Sequence, residues 1–207
     1  MIAIIDYQAG NQTSVQRALS YLGMPCKITC IPEEILAARR VIFPGVGAAG
    51  KAMEVIRSLG LDQVIREVVK RGTPFLGICL GTQIILDKSE ENGNTRCIGI
   101  IAGMARKFPE TVRVVPHMGW NTICPVRQHP VLAHIPPKAQ FYFVHSYYPA
   151  PDKPSEVIAT TTYDMDFASV IARDNVVATQ FHPEKSGPQG LQLLKNFCGW
   201  DGKLTPC

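Results

Sequence analysis

Residues 74–81 read Pro-Phe-Leu-Gly-Ile-Cys-Leu-Gly, and this stretch decides the fold. Its first five residues form an apolar run typical of a buried strand, and a helix is expected to begin at Leu80, directly after Cys79. A glycine on each side of the turn leaves room for a very tight change of direction. The pattern Gly-x-Cys-x-Gly therefore predicts a nucleophile elbow, in which the sulfur stands above the strand ends. The N-terminus of the following helix favours the thiolate form of that cysteine.

The same alternation of strand and helix runs through the first half of the chain. Apolar runs bounded by turn residues predict strands, and apolar residues at helical spacing predict helices. The predicted strands are Ile2–Asp6, Cys26–Ile31 and Val41–Phe43, and the predicted helices are Asn11–Leu22 and Val64–Val69. Short buried strands that alternate with helices predict an α/β fold, with a mostly parallel central sheet and helices on both faces.

The second half of the chain is richer in strand patterns. Strands are predicted at Ile98–Ile101, Met104–Phe108, Phe141–Val144, Val157–Thr162, Ala168–Ala172 and Val176–Phe181, and a closing helix at Gly190–Phe197. The most linker-like segment, 149–154, is short enough to be a surface loop. With no repeat and no long linker, the chain is expected to form a single domain over residues 1–207. Its tail, residues 201–207, has no interpretable pattern.

Composition excludes several classes of function. The 207 residues are 46% hydrophobic and 18% charged, as in a globular protein with a sizeable core. No apolar run approaches the length of a bilayer span, and the segment after Met1 has no signal-peptide pattern, so a cytoplasmic location without a membrane is expected. The net charge is only +4, and the basic residues are scattered, which argues against a nucleic-acid surface.

The seven cysteines do not form a disulfide or metal-binding pattern. Their number is odd, they are widely spaced and no Cys-x-x-Cys pair occurs. No metal is therefore expected, and no cofactor. Apart from Cys79, these cysteines are predicted to be ordinary core or surface thiols.

A second chemical signal lies at residues 180–184, Gln-Phe-His-Pro-Glu. It follows a predicted strand, and residues two apart on an extended segment project to the same side. Glu184 can then accept a hydrogen bond from one ring nitrogen of His182, which leaves the other nitrogen free to face a thiol. This pairing of a base with an orienting carboxylate is what an activated nucleophile needs.

A third signal is the Pro-Gly-Val-Gly loop at residues 44–47, which also follows a predicted strand. Backbone N–H groups of Val46 or Gly47, together with that of Leu80, are predicted to stabilise an oxyanion. Glycines on both sides of Val46 let the Gly45–Val46 peptide rotate at low cost, so this N–H need not point at the oxyanion in the resting state. A phosphate-binding loop is the rival interpretation, but the Lys-Ser/Thr of a P-loop is missing.

Together the three motifs resemble those of the class I (triad) glutamine amidotransferases, which have a flavodoxin-like fold. Four further stretches resemble the family of glutaminase subunits of imidazole glycerol phosphate synthases, and the similarity runs from Ile2 to about Phe197. These stretches are DYQAGN at 6–11, PHMGWN at 116–121, YFVHSY at 142–147 and HPEKSG at 182–187. Two departures are visible: Gln8 stands where this family often has Gly, and Thr82 where it often has Met.

The resemblance implies that Cys79, His182 and Glu184 form the triad that releases ammonia from glutamine. It also implies binding of the glutamine head by Gln83, Glu91, Ser146 and Tyr147. The implied partner is a cyclase with a (β/α)8 barrel, bound as a heterodimer, which uses the ammonia to make imidazole glycerol phosphate and an aminoimidazole carboxamide ribotide. Matching positions at that interface are Asn11, His117, Trp120, Tyr142 and Lys185.

Three alternatives stay open at this point. The chain could serve a different synthase, of the anthranilate or aminodeoxychorismate type, although those usually have His at the position of Thr82. It could be a stand-alone γ-glutamyl hydrolase, which shares the elbow and the catalytic histidine. It could also be a docking subunit without activity, although an intact set of Cys79, His182 and Glu184 argues against this.

Overall fold

The computed structural model of the chain describes residues 1–8 and 11–203. Three short 3-10 turns lie at Pro130–Leu132, Pro154–Glu156 and Pro183–Lys185. The strands and helices, in chain order, are β1 (Ile2–Ile5), α1 (Gln12–Tyr21), β2 (Cys26–Thr29), α2 (Pro32–Leu36), β3 (Arg40–Gly45), α3 (Ala49–Ser58), α4 (Leu61–Lys70), β4 (Phe75–Cys79), α5 (Leu80–Ile84), β5 (Lys88–Ser89), β6 (Thr95–Arg96), β7 (Gly103–Lys107), β8 (His117–Thr122), β9 (Cys124–Pro125), β10 (Gln140–His145), β11 (Tyr147–Pro151), β12 (Val157–Thr162), β13 (Asp166–Arg173), β14 (Val176–Thr179) and α6 (Gly187–Gly199).

An eight-stranded sheet forms the centre, in the order β2-β1-β3-β4-β14-β13-β12-β9. The first five of these strands are parallel to their neighbours, and the last three are antiparallel. Two smaller sheets, β10-β8 and β11-β7-β5-β6, account for the strand-rich second half. The prediction of a mostly parallel central sheet is confirmed.

Alternate residues of β1 show how the two faces of the sheet are covered. Ile2 and Ile4 belong to a buried cluster with α1 and α6, whereas Ala3 and Ile5 belong to a second cluster with α2, α3, α4 and α5. Successive side chains of a strand point to opposite faces, so one short strand contributes to both clusters. The predicted placement of helices on both faces is therefore confirmed.

The helix α4 illustrates how sequence spacing produces these packed faces. Leu61, Val64, Ile65 and Val68 recur at helical spacing, and all four are buried against the sheet. The helix begins after Gly60, so it is one turn longer than the predicted Val64–Val69. No helix within residues 1–8 and 11–203 is both long and apolar enough to cross a bilayer.

The strand predicted at Ile98–Ile101 is wrong, because this segment is irregular. Its backbone N–H groups donate to carbonyls at the end of α5: Ile98 to that of Ile84 at 2.8 Å and Ile100 to that of Ile85 at 2.7 Å. The last carbonyls of a helix lack partners within the helix, and this segment supplies them. The apolar run therefore packs against the end of α5 and does not belong to a sheet.

Seven elements were missed by the sequence patterns: α2, α3, β5, β6, β8, β9 and β11. The buried face of the helix α3 has two alanines beside Met53 and Ile56, so its apolar pattern is weak in the sequence. The strand β8 lies in the PHMGWN motif, and β11 includes part of the segment predicted as a loop. Pro149 and Pro151 are tolerated in β11 because it is the edge strand of its sheet.

The parallel strands bring the chemical motifs to one edge of the central sheet. The strands β1, β3, β4 and β14 are neighbours in the parallel part of the sheet, so their carboxyl ends lie together. The register pairs Gly45 with Cys79, and Thr179 with Ile78. The Pro-Gly-Val-Gly loop, the elbow and the segment 180–184 are thus adjacent, although they are far apart in the sequence.

Candidate active site

Cys79 lies at the end of β4 in a strained turn, with φ 54° and ψ −107°, and Leu80 is the first residue of α5. A side chain other than glycine with positive φ costs on the order of 1–3 kcal/mol, and such residues cluster at functional sites. A Cβ atom at Gly81 would collide with the carbonyl oxygen of Phe43, and one at Gly77 would lie 3.0 Å from Ala178. Gly81 is therefore required and Gly77 leaves little room for a side chain, and the turn has the geometry predicted for a nucleophile elbow.

His182 and Glu184 form a close buried pair. The Nδ1 atom of His182 lies 2.8 Å from Oε1 of Glu184, and both side chains are inaccessible to solvent. The sequence analysis expected this segment to be extended. It is not extended throughout, because a 3-10 turn at Pro183–Lys185 follows His182. Pro183 begins this turn, which brings the carboxylate back toward the ring.

The backbone of His182 is fixed by the small sheet beside it. Its N–H donates to the carbonyl of Tyr142 at 2.9 Å. The buried Ser186 hydroxyl donates to the carbonyl of His182 at 2.6 Å and accepts from the N–H of Tyr142 at 3.0 Å. The imidazole is therefore held from both its backbone and its Nδ1 atom, as a positioned base requires.

The electrostatics of the site keep a proton on His182. Burial alone lowers the pKa of His182, but its interactions with Cys79 and Glu184 outweigh burial and raise the pKa to about 10. Among the described residues, Nε2 of His182 has no hydrogen-bond partner. This nitrogen is available to the sulfur or to a leaving group, since Nδ1 is engaged by Glu184.

Replacement of the sulfur tests this coupling, and we expect Cys79→Ala to lower the pKa of His182. The interaction with Cys79 is the largest of those that raise this pKa. In the alanine variant only Glu184 remains to counter the lowering of the pKa by burial. Because folding raises the pKa above 6.5, the proton stabilises the fold fully below that pH and the stabilisation is lost as pH rises through about 10. NMR titration of the His182 imidazole measures this pKa in the unsubstituted chain and in Cys79→Ala. An unchanged titration would show that the sulfur does not contact the ring.

A cavity of about 410 Å³ opens over Cys79. This is within the usual range for small-molecule sites. His182 also faces the cavity, and Pro116 contributes to its wall. Every predicted oxyanion and substrate residue lines it: Leu80, Val46, Gly47, Gln83, Glu91, Ser146 and Tyr147.

A functional residue that sequence reasoning missed is Gln180. Its amide Nε2 lies 3.7 Å from the Cys79 sulfur, and its Oε1 accepts from Nε2 of Gln83 at 3.0 Å. Gln83 also donates to the carbonyl of Tyr147 at 3.0 Å. The signal was available, because Gln180 belongs to the motif that contains His182 and stands two residues before it.

Glu91 is oriented by the start of a helix. Its Oε2 accepts from the backbone N–H of Ala49, the first residue of α3, at 2.6 Å. An acidic side chain at a helix N-terminus satisfies a donor that lacks a partner within the helix. The carboxylate is thus held at the cavity wall, where the family resemblance predicts that it helps to bind the glutamine head.

The oxyanion loop has only part of the arrangement that was predicted. Val46 and Gly47 line the cavity, but the N–H of Val46 donates to the hydroxyl of Tyr7 at 3.2 Å. Tyr7 is buried beneath the loop, and burial raises the pKa of its hydroxyl, which stays uncharged. The Val46 donor is therefore occupied by a side chain that does not line the cavity.

The five residues predicted at a partner interface separate into two groups. Trp120 is 54% exposed, its ring packs edge-on against Tyr142, and Lys185 lies with Nζ 6.0 Å from the centre of the Tyr142 ring. His117 is instead 3% exposed and its ring stacks on Phe143 and Tyr163, so its predicted place at the interface stays a prediction. Asn11 contacts the triad, because its Nδ2 donates to Oε1 of Glu184 at 2.6 Å.

The two departures from the family pattern lie outside the cavity wall. Thr82 is buried, and its hydroxyl donates to the carbonyl of Thr179 at 2.6 Å, which ties α5 to β14. Gln8 has a positive φ of 64°, a conformation that glycine adopts more easily. Its neighbours Ala9 and Gly10, part of the DYQAGN motif, lie outside the described residues, as does most of the tail at 201–207.

The remaining cysteines have no catalytic arrangement in the part of the chain that the structure describes. Cys26, Cys30, Cys97, Cys124 and Cys198 are free thiols, as is Cys79. Within residues 1–8 and 11–203, no group of three or more His, Cys, Asp or Glu side chains could hold a metal ion.

Comparison with known proteins agrees with this site. The family model for class-I glutamine amidotransferases matches residues 3–199. The chain belongs to that family. It is 53% identical to imidazole glycerol phosphate synthase subunit HisH of Desulfovibrio desulfuricans, over 95% of this chain and 93% of that protein. It is 55% identical to the same subunit of Nitratidesulfovibrio vulgaris strain DP4, over 95% of each.

Solved structures of this amidotransferase fold extend the agreement. A crystal structure of a glutamine amidotransferase has a TM-score of 0.72 at 17% identity, over 96% of this chain and 98% of that one. PurLQS from Thermotoga maritima has a TM-score of 0.76 at 14% identity, over 96% and 97%. At such identities the likeness concerns the fold alone, and it confirms the predicted class-I amidotransferase architecture.

Proposed function

We propose that Cys79, His182 and Glu184 hydrolyse the side-chain amide of glutamine and that the ammonia passes to a cyclase partner. The observation that carries this proposal is that His182, paired with the buried Glu184 carboxylate, faces the same cavity as the strained Cys79. Membership of the HisH family makes the chain the glutamine amidotransferase subunit of an imidazole glycerol phosphate synthase, in histidine biosynthesis. The roles of individual residues and the nature of the partner are the proposed part.

The chemistry follows from the positions of the three side chains. The Cys79 thiolate attacks the amide carbon, and the proton on His182 passes to the departing ammonia. A glutamyl thioester then links the substrate to the sulfur. His182, now neutral, removes a proton from water, which hydrolyses the thioester to glutamate. Glu184 keeps Nδ1 of the ring protonated and stabilises the imidazolium.

The polar groups of the cavity wall suit the amino-acid head of glutamine. Glu91 supplies a carboxylate for the α-ammonium, as a charge-assisted hydrogen bond. Gln83, Ser146 and Tyr147 line the same cavity, and we assign Gln83 and the backbone of the other two to the same head. Binding of the head at this wall would place the side-chain amide next to Cys79.

We further propose that partner binding completes the oxyanion hole. The Val46 N–H is engaged by Tyr7, so the hole would lack this donor in this state. Loss of one such donor typically lowers turnover by about 10²–10³-fold. Rotation of the Gly45–Val46 peptide would free the donor, and a ligand that favours the rotated loop would raise the rate.

The test is glutaminase turnover measured for the chain alone, with the cyclase, and with the cyclase and its ribotide substrate. We expect a feeble rate alone and a rise of about 10²-fold or more in the full system. Tyr7→Phe, which removes the hydroxyl that holds Val46, should raise the rate of the chain alone. Equal rates in all three conditions would contradict control by the loop. Absence of turnover in the full system would contradict the proposed function.

An exposed apolar surface beside the cavity supports docking of the cyclase there. We call it the β8 patch, and it consists of Met118, Trp120, Tyr142 and Lys185. Met118 is 62% exposed and shares a face of β8 with Trp120, while Tyr142 pairs with Trp120 across the strands. Exposed clusters of aromatic and apolar side chains mark protein interfaces. The patch adjoins His182, whose N–H is bonded to the carbonyl of Tyr142.

We expect Trp120→Ala to weaken binding of the cyclase by roughly 30-fold or more, the effect of removing an interface hot spot. The exposed ring contributes apolar area without supporting the core, so the melting temperature should change little. Calorimetric titration of the cyclase measures the loss. Val126→Ala, which truncates an exposed apolar side chain elsewhere, is the control. Equal affinity of the Trp120 variant and the parent would place the interface elsewhere.

The barrel fold of the partner, the heterodimer and the cytoplasmic location stay predictions. A glutamine-dependent cyclisation assay on the purified pair tests whether the partner is the cyclase that uses the ammonia. Imidazole glycerol phosphate and the carboxamide ribotide would form in equal amounts as the ammonia is used, with an equal amount of glutamate.

A further inference from the structure

Two buried histidines, His117 and His145, have no part in the reaction described above. They face each other across the β8–β10 pair, and Nδ1 of His117 lies 3.0 Å from Nε2 of His145. The His117 ring stacks between Phe143 and Tyr163, at centroid distances of 4.7 and 4.0 Å. Burial lowers the pKa of His117 to about 4 and that of His145 to about 3, so both rings are uncharged at neutral pH.

The groups at the two ends of this pair determine which nitrogen carries each proton. Nδ2 of Asn121 lies 3.3 Å from Nε2 of His117, and its amide orientation is set because Oδ1 accepts from the N–H of Thr122. At the other end, Nδ1 of His145 lies 2.8 Å from the carbonyl oxygen of Tyr147. An amide nitrogen only donates and a carbonyl only accepts. All three hydrogen bonds form together only if both rings are protonated on Nδ1.

The Tyr147 carbonyl joins this series to the catalytic sulfur. It accepts from His145 and also from Nε2 of Gln83, at 3.0 Å. Gln83 donates to Gln180, and Gln180 donates to Cys79. A continuous network of six hydrogen bonds, which we call the His117–His145 network, therefore runs from Asn121 on β8 to the sulfur, and Trp120 of the β8 patch precedes Asn121.

We propose that His145 is a positioning residue for glutamine hydrolysis, with His117 and Asn121 holding it in the required tautomer. His145 fixes the Tyr147 carbonyl, and that carbonyl in turn holds Gln83 at the cavity wall. Without the His145 donor, the Tyr147 carbonyl loses one of its two hydrogen bonds. The Gln83 amide then donates to a carbonyl that is held less firmly. This inference rests on the proposed function, because the cavity wall that is positioned is the one assigned to the glutamine head.

The experiment compares His145→Phe with His145→Asn in the complex with the cyclase. Phe fills the space without a donor, whereas the Asn amide nitrogen can take the place of Nδ1. We expect Phe to lower kcat/KM for glutamine by about tenfold or more, mainly through KM, and Asn to restore most of it. Tyr163→Phe is the control, because it keeps the ring stacked on His117 and removes only the hydroxyl that donates to the Val114 carbonyl.

Nitrogen-15 NMR of the unsubstituted chain provides a readout that a merely structural role would not move. Both imidazoles should show the Nδ1–H tautomer at neutral pH. In Asn121→Leu, which removes the donor at the outer end, His117 should become a mixture of tautomers. This variant changes a half-buried position, so it tests the inference even if the His145 variants fail to fold.

Three results would overturn the inference. These are Nε2–H tautomers in the unsubstituted chain, full kcat/KM in His145→Phe, and equal losses in the Phe and Asn variants with equal falls in melting temperature. Failure of the proposed function is distinguishable, since it would show as no glutamine turnover by the unsubstituted complex. The tautomers of His117 and His145 would still be measured in that case, because they need no substrate.

Discussion

Cys79→Ala is expected to lower glutamine turnover by roughly 10⁴-fold or more, the scale on which loss of a catalytic nucleophile acts. The sulfur forms the thioester, and no neighbouring side chain can replace it: Gln180 is an amide, and His182 has its Nδ1 engaged by Glu184. Alanine removes only the sulfur. We therefore expect the variant to fold and to bind the cyclase as the parent does.

The control is Cys97→Ala, which removes a buried thiol away from the cavity. Burial raises the pKa of Cys97 to about 12, so this thiol is unreactive at neutral pH and its loss should leave turnover nearly unchanged. The complex that contains Cys79→Ala should still carry out cyclisation when ammonium salts are supplied. Substantial glutaminase activity in the Cys79 variant would contradict its role as nucleophile.

His182→Asn should be more damaging than Glu184→Gln. Loss of the imidazole removes both proton transfers, and by analogy with other triads the rate should fall by about 10⁶-fold. Loss of the Glu184 charge disturbs the orientation of the ring and destabilises its charged form, with an expected fall of about 10⁴-fold. The Gln amide can still occupy the space beside Nδ1.

Both variants are to be measured as glutamine turnover with the cyclase and its ribotide present. A second readout is the pKa of His182, which Glu184→Gln should lower because Glu184 helps to raise it. The ranking depends on His182 acting directly and Glu184 acting through it. The contrary ranking would exchange those roles and contradict the mechanism.

The parts of the site that could be predicted from sequence are those written in short local motifs. The elbow at Cys79 is marked by two glycines at fixed offsets, and a Cβ atom would collide with the backbone at Gly81 and make a tight contact at Gly77. Glu184 is two residues from His182, so any compact turn brings them together. The Pro-Gly-Val-Gly loop was placed correctly because parallel strands have their carboxyl ends at one edge of the sheet.

Contacts made across large sequence separations could not be predicted in this way. Asn11 reaches Glu184 from the start of α1, a separation of 173 residues, and a motif match alone suggested a partner contact. His117 alternates with Met118 along β8, so its inward direction depends on register, which was unknown while β8 itself was missed. The engagement of Val46 by Tyr7 likewise depends on the packing of β1 beside β3.

The central claim is that glutamine forms a thioester with Cys79. The most direct measurement is mass spectrometry of the complex after rapid acid quenching during turnover, followed by peptide mapping. We predict a mass increase of one glutamyl group on the peptide that contains Cys79, absent in Cys79→Ala and present in Cys97→Ala. Glutamine turnover without any adduct at Cys79, or an adduct on another residue that persists in Cys79→Ala, would contradict the account.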